Sequence, residues 1–134
     1  MTTTASCYCA ALRAATRRAT AMYDEALAPA GIGLAQFSLL RKIERGGKLS
    51  LSELARLASL DRSTVGRNIK VLRRMGLIEI GHGDDHREAT VTLAEDGRAV
   101  LRKGAPLWDA AQRRIEANLG EDGAEKLRVL LAAL

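Results

Sequence analysis

The spacing of apolar residues changes period twice along the chain, and this limits the folds that the chain can adopt. Residues 7–28, 34–45, 51–60 and 62–75 place apolar side chains three or four positions apart, as helices do. Residues 77–93 contain two short β-like runs around a polar, glycine-containing turn, and helical spacing returns from residue 94. We therefore predict a mainly α-helical fold that contains one small β-hairpin.

Length and composition exclude several classes of protein. The 134 residues suffice for one domain, or for a compact module with dimerisation arms, and exclude the large enzyme architectures. Only 3% of residues are aromatic, which favours helix packing through Ala, Leu, Val and Ile. Residues 1–11 lack the pattern of a signal peptide, and no apolar run approaches the roughly 20 residues that span a bilayer. We expect a cytoplasmic protein without membrane contact.

The positive charge is concentrated in one predicted helix. The chain has 21 Lys and Arg against 16 Asp and Glu, for a net charge of +5, which suggests an acidic partner such as nucleic acid. Five of the basic residues lie between residues 62 and 75, a segment without Asp or Glu. The alternative interpretation of this segment is a solvated basic surface.

Two short helices joined by a tight turn are predicted, the first from Leu51 to near Leu60 and the second from Arg62 to about Met75. Ser50 and Glu53 have the spacing of a capping box, Asp61 is suited to cap the second helix, and Gly76 is suited to end it. Together with the hairpin, these helices predict a winged helix-turn-helix. In that fold the second helix lies in the DNA major groove, and the hairpin, or wing, reaches the flanking backbone or the minor groove.

Cationic, hydroxyl and amide side chains on these elements are the candidate DNA contacts. Arg67 and Asn68 are able to form bidentate contacts with guanine and adenine. At the hairpin tip, Asp85 is placed to orient Arg87 for the narrow minor groove, although the two could form an ordinary exposed ion pair instead. The full candidate set is Ser50, Arg62, Ser63, Thr64, Arg67, Asn68, Lys70, Arg73, Arg74, Asp85 and Arg87.

The order of several short motifs resembles the MarR (multiple antibiotic resistance regulator) family. These motifs are Gln36–Leu40, Leu51–Ala55, Asp61–Arg67, Leu72–Ile78, Asp85–Arg87 and Val91–Gly97. The resemblance covers nearly the whole chain and implies a homodimeric transcription factor on a pseudo-palindromic operator, and we expect it to act as a repressor. It assigns residues 34–93 to the DNA-binding lobe and residues 1–33 and 94–134 to helical dimerisation.

Dimerisation also has an independent physical argument. The terminal helices have apolar faces larger than the small lobe can cover, so they need a partner surface or must fold back within one chain. The residues concerned are Leu101, Leu107, Trp108, Ile115, Leu119, Leu127, Leu130, Leu131 and Leu134.

The resemblance further implies a small-molecule effector that releases the operator. Its pocket would lie between the dimerisation helices and the DNA-binding lobe, and aromatic or phenolic compounds are the effectors that the family suggests. Arg13, Arg17 and Tyr23 are the candidate lining residues, with dimer packing and surface charge as the alternative roles.

Cys7 and Cys9 lie at the start of the first predicted helix. Some MarR-type regulators sense hydroperoxides through a cysteine in the corresponding helix, and helix N-termini favour the reactive thiolate. Cys9, or Cys7, is therefore a candidate redox sensor. One alternative is a metal site in which each of two subunits supplies two thiols, and the other is that both are ordinary cysteines. We expect no cofactor, no resident metal and no enzymatic activity. A further hypothesis is a protein-interaction dimer that no longer binds DNA.

Overall fold

The structure, a computed structural model, describes residues 7–83 and 88–134, and these residues form six α-helices and three β-strands. The helices are α1 (Tyr8–Leu27), α2 (Leu34–Gly46), α3 (Leu51–Ala58), α4 (Arg62–Arg74), α5 (Glu95–Leu119) and α6 (Gly123–Ala132). The strands are β1 (Leu49–Ser50), β2 (Ile78–His82) and β3 (Ala89–Leu93), and a short 3-10 helix (Ala28–Ala30) follows α1. The predicted mainly helical fold with a small hairpin is confirmed.

The predicted helix caps are present. The Ser50 Oγ accepts a hydrogen bond from the Glu53 backbone N–H at 3.1 Å, and the Glu53 Oε1 accepts one from the Ser50 N–H at 3.3 Å. Asp61 caps α4 in the same manner by accepting from the Thr64 N–H. Gly76 follows α4 with a φ of +76°, a left-handed conformation that glycine adopts without steric cost. The chain therefore turns sharply from α4 into β2.

The sheet has one strand more than the sequence predicts. β2 and β3 form the expected antiparallel hairpin, in a register from Ile78 opposite Leu93 to His82 opposite Ala89. β1 adds to the other edge of β3, so the strand order is β1-β3-β2. A strand of two residues shows no alternating pattern, which is why periodicity alone did not predict it. This pairing joins the start of α3 to the hairpin.

The core lies between the helix-turn-helix and the sheet. Phe37 is its largest fully buried side chain, and α4 contributes Val65, Ile69 and Leu72 through the predicted stripe. The remaining large side chains with less than 2% exposure are Leu27, Leu39, Leu40, Ile43, Leu54 and Val91. Leu101 differs from the expectation that it needs a partner surface, because the core of its own chain buries it.

α5 packs closely against this lobe through two glycines. A Cβ on Gly97 would collide with the Leu77 carbonyl oxygen, which accepts a hydrogen bond from the Ala94 N–H at 3.0 Å. A Cβ on Gly104 would lie 2.7 Å from the Phe37 ring. Pro106 lies inside α5 without ending it, and the helix continues to Leu119.

The terminal helices expose much of their apolar surface. α1 buries only Leu27 completely, and no residue that the structure describes in α6 is fully buried. Among the larger apolar side chains, the exposed ones in these regions are Tyr8, Leu12, Leu119, Leu127, Val129, Leu130, Leu131 and Leu134. Within residues 7–83 and 88–134, no helix combines the length and apolar character that crossing a membrane requires.

Candidate nucleic-acid interface

The two sides of α4 differ sharply in chemistry. Val65, Ile69 and Leu72 face the core, and positions at spacings of three and four on the opposite side are exposed. Those exposed positions are Ser63, Arg67, Lys70 and Arg74. Arg62 and Arg73 are also exposed, whereas Thr64 and Asn68 are half-buried. The outer surface of α4 therefore presents five cations without a carboxylate on the same helix.

Asp61 organises the first turn of α4. Its Oδ1 accepts hydrogen bonds from the Thr64 N–H at 2.7 Å and from the Ser63 hydroxyl at 2.6 Å, and its Oδ2 accepts from the Thr64 hydroxyl at 2.9 Å. These bonds, from Ser63 first and then Thr64, stabilise the ionised form and lower the pKa of Asp61 to about 2. The Arg67 guanidinium adds a smaller contribution in the same direction.

This network extends to Arg67. The Arg67 Nη2 donates to the Thr64 Oγ1 at 3.2 Å, while the Thr64 hydroxyl itself donates to Asp61. The Arg67 side chain is thereby directed along the N-terminal half of α4 while it stays exposed. In a helix-turn-helix, the N-terminal residues of the second helix are the ones that contact base edges.

Three of the predicted DNA contacts do not belong to this described surface, one because it is buried and two because they lie outside the described residues. Ser50 is 93% buried, and its hydroxyl oxygen is occupied by the α3 cap, so we assign it the capping role alone. Asp85 and Arg87, predicted for the wing tip, lie outside the described residues. The base of the wing is described, and there the Gly83 N–H donates to the Glu88 carbonyl at 3.0 Å.

A basic cavity lies on α2, where the lobe meets α5. It has a volume of about 290 Å³ and is lined by Ser38, Arg41, Lys42, Arg45 and Trp108. The Arg41 guanidinium carbon lies 4.6 Å from the centre of the Trp108 ring and 5.7 Å from that of Phe37. At these distances Arg41 makes cation–π contacts with both rings. The cavity therefore combines an aromatic wall with three cations.

The sequence-predicted pocket residues lie partly elsewhere. Tyr23 is half-buried on α1 and does not line the cavity, although its ring lies 6.1 Å from that of the lining residue Trp108. Burial and, to a smaller extent, the Glu116 carboxylate raise the pKa of Tyr23, while Arg128 opposes them. Arg13 and Arg17 are exposed farther towards the start of α1. The sequence signal for the cavity was a cluster of three cations after Phe37 and the single tryptophan of the chain.

Cys7 and Cys9 flank the start of α1. Both thiols are exposed and unpaired, and Cys7 occupies the N-cap position. Across the part of the chain that the structure describes, no group of three or more His, Cys, Asp or Glu side chains is arranged to hold a metal ion.

Comparison with known proteins places this arrangement in a family. The model of the MarR family matches residues 30–88, from the end of the 3-10 helix to the wing. The Mycobacterium tuberculosis transcriptional regulator MosR, solved in complex with DNA, is 36% identical, with a TM-score of 0.86. That similarity covers 96% of this chain and 92% of MosR. The chain belongs to the MarR family.

A further relative agrees with this assignment, and a further solved structure shares the fold. The HTH-type transcriptional repressor Rv2887 of M. tuberculosis is 28% identical to this MarR-family chain over 113 residues, which cover 81% of the chain and 79% of Rv2887. The structure of BpsR from Bordetella bronchiseptica has the same fold, with a TM-score of 0.88, 23% identity and coverage of 99% and 96%. The chain is thus a MarR-family transcriptional regulator, and the prediction that it is a regulator and not an enzyme is confirmed.

Proposed function

We propose that this MarR-family chain is a dimeric repressor that binds a specific DNA sequence by inserting α4 into the major groove. The observation that carries the proposal is the acid-free, exposed basic side of α4, opposite its buried stripe. Arg67 and Asn68 contact bases, and the cations around them contact phosphates. DNA binding as such is supported by MosR, which is 36% identical and was solved in complex with DNA.

The binding site itself is the first test. Selection of bound duplexes from a random DNA pool should yield a pseudo-palindrome whose half-sites are about 10 base pairs apart, as expected for two copies of α4. Recovery of no preferred sequence would contradict sequence-specific binding. Failure to bind any duplex at low salt would instead favour the protein-interaction dimer.

The role of Arg67 is tested on the selected duplex. Arg67→Ala should weaken binding by about 5- to 150-fold, equivalent to the roughly 1–3 kcal/mol of one bidentate base contact. The matched control is Arg113→Ala, which removes an exposed cation from α5 and should leave the affinity within about twofold. Equal affinities of the two variants, measured by fluorescence anisotropy, would remove Arg67 from the interface.

A small-molecule effector is proposed to bind the cavity on α2. Arg41 supplies a positive charge held against aromatic rings, and this arrangement suits a planar ligand with a carboxylate, such as an aromatic acid. This assignment adds Arg41 and Trp108 to the residues that the sequence suggested, and Tyr23 contributes only through the ring of Trp108, 6.1 Å away. Arg13 and Arg17 stay predictions.

The single tryptophan provides a direct test of effector binding. Because Trp108 lines the cavity, titration with 2-hydroxybenzoate should change its fluorescence in a saturable manner, and the uncharged 2-hydroxybenzamide should have little effect. Arg41→Gln should weaken binding by about 10- to 100-fold, the range of a charge-assisted hydrogen bond. The same titration should release the selected DNA. Identical responses to acid and amide would contradict the proposed role of Arg41.

A second candidate function, thiol sensing, is favoured by the exposure of Cys7 and Cys9 at the start of α1. A hydroperoxide would oxidise one thiolate to a sulfenic acid and would itself be reduced to the alcohol. Peroxide treatment should then release DNA from the wild-type protein, and dithiothreitol should restore binding. Release that persists when Cys7→Ser and Cys9→Ser are combined in one variant would contradict this function.

A further inference from the structure

Gly66 lies in the middle of α4, and the residues that the structure describes give no packing reason for a glycine there. Glycine destabilises a helix interior relative to alanine, because it loses more backbone freedom on folding. The other described glycines that lie within α-helices have close neighbours. For example, added Cβ atoms would collide with the Leu77 carbonyl at Gly97 and with the Phe37 ring at Gly104. A Cβ on Gly66 would meet no described atom within 4 Å, and its φ is not left-handed.

The surroundings of Gly66 suggest what fills this space. Three cations share the side of the helix on which Gly66 lies. They are Arg62, four residues before it, Lys70, four residues after it, and Arg73, seven residues after it. All three side chains are exposed, and the core-facing stripe through Val65 lies on another side. Gly66 is therefore a gap in the side-chain layer that cations surround.

We infer that a phosphodiester of the DNA backbone packs directly against the α4 backbone at Gly66. This inference rests on the proposed DNA binding by α4 and adds a residue that positions the helix. A phosphate is the partner that the three cations favour, and the missing side chain permits the short approach. An alanine methyl group would push the phosphate away from all three cations at once.

The experiment compares Gly66→Ala with wild type in stability and in DNA binding. The variant should raise the Tm by about 2–5 °C, because alanine favours the helix and its methyl group meets open space. It should nevertheless weaken binding about tenfold, the size of an ordinary overpacking penalty. The loss should be similar for the selected duplex and for an unrelated duplex of equal length, since phosphates carry no sequence information.

Thr16→Ala is the matched control. It also introduces alanine, which favours the helix, but at an exposed position on α1 outside the DNA-binding lobe. It should leave DNA affinity unchanged. A Gly66→Ala protein that binds as tightly as wild type would overturn the inference, as would a loss confined to the selected duplex, which would indicate a base contact. A lower Tm would also overturn it by revealing an internal reason for glycine. If wild type binds no duplex, the proposed function itself fails.

Discussion

Asp61 is exposed at the start of α4, yet its carboxylate accepts three hydrogen bonds from Ser63 and Thr64. Because these bonds require the ionised form, the pKa in the folded chain is about 2, below the ordinary value of 3.8. A lowered pKa means that the carboxylate stabilises the folded state fully above about pH 5. This stabilisation is lost as the pH falls from about 4 towards 2.

We expect Asp61→Asn to remove this part of the acid dependence. Asparagine caps a helix about as well as aspartate but does not titrate. The difference in urea midpoint between wild type and the variant should therefore be constant above pH 5 and change between pH 4 and pH 2, to the disadvantage of wild type. Parallel midpoint curves over that range would show that Asp61 does not carry the dependence.

Contacts between residues close in the sequence were predictable, but burial and contacts that depend on distant residues were not. The caps at Ser50 and Asp61 follow from local spacing, since the groups involved are only three residues apart. The burial of Ser50 depends on β1 and its partner strand, which are distant in sequence. Arg41 was missed for the same reason, because Trp108 reaches it from a helix more than 60 residues later.

The docking of α5 onto the lobe depends on the absence of a side chain at Gly97. The Leu77 carbonyl there is fixed by its hydrogen bond with the Ala94 N–H, so it cannot retreat from an added methyl group. Gly97→Ala should destabilise the protein by about 1–3 kcal/mol, measured by urea unfolding.

A second glycine provides the control for this prediction. A Cβ on Gly81 in β2 would lie 3.6 Å from the Thr90 hydroxyl oxygen, an ordinary contact, so Gly81→Ala should change stability by less than about 0.5 kcal/mol. Similar free energies of unfolding for the two variants would contradict close packing between α5 and Leu77.

Among the elements, the sequence predicted every long helix and missed only the shortest pieces. The α4 and hairpin segments were identifiable because period and turn residues agreed over many positions. The two-residue β1 and the 3-10 helix at Ala28–Ala30 offer no such repetition. β1 forms because it pairs with β3, and the 3-10 helix follows from the fixed φ of Pro29. Neither cause produces a periodic pattern of apolar residues.

The exposed leucines of α5 and α6 form a surface on which a second copy of the chain could pack. Leu130 is 67% exposed on α6 beside other exposed leucines, and such a surface suits a second copy of the chain. Leu130→Glu should shift the protein towards monomer in sedimentation velocity and weaken operator binding, because a monomer contacts one half-site only.

Leu57→Glu is the control that tests whether a charge at any exposed leucine would dissociate the dimer. Leu57 is an exposed leucine on α3, in the DNA-binding lobe, with 46% exposure. The substitution should leave the association state unchanged at the same concentration. Monomers from both variants, or dimers from both, would mean that α6 does not form the interface.

The unbroken course of α5 has a mechanical consequence for the proposed dimer. Its 25 residues form one continuous helix about 37 Å long. The N-terminal part packs against the lobe, and the exposed Leu119 lies at the C-terminal end. A tilt of about 3° at the dimer end would displace the attached lobe by about 2 Å along such a length. Two lobes must match half-sites about 34 Å apart, so the helix works as a lever arm. Slight repacking at its far end would alter the fit to the operator more than an equal shift inside the lobe.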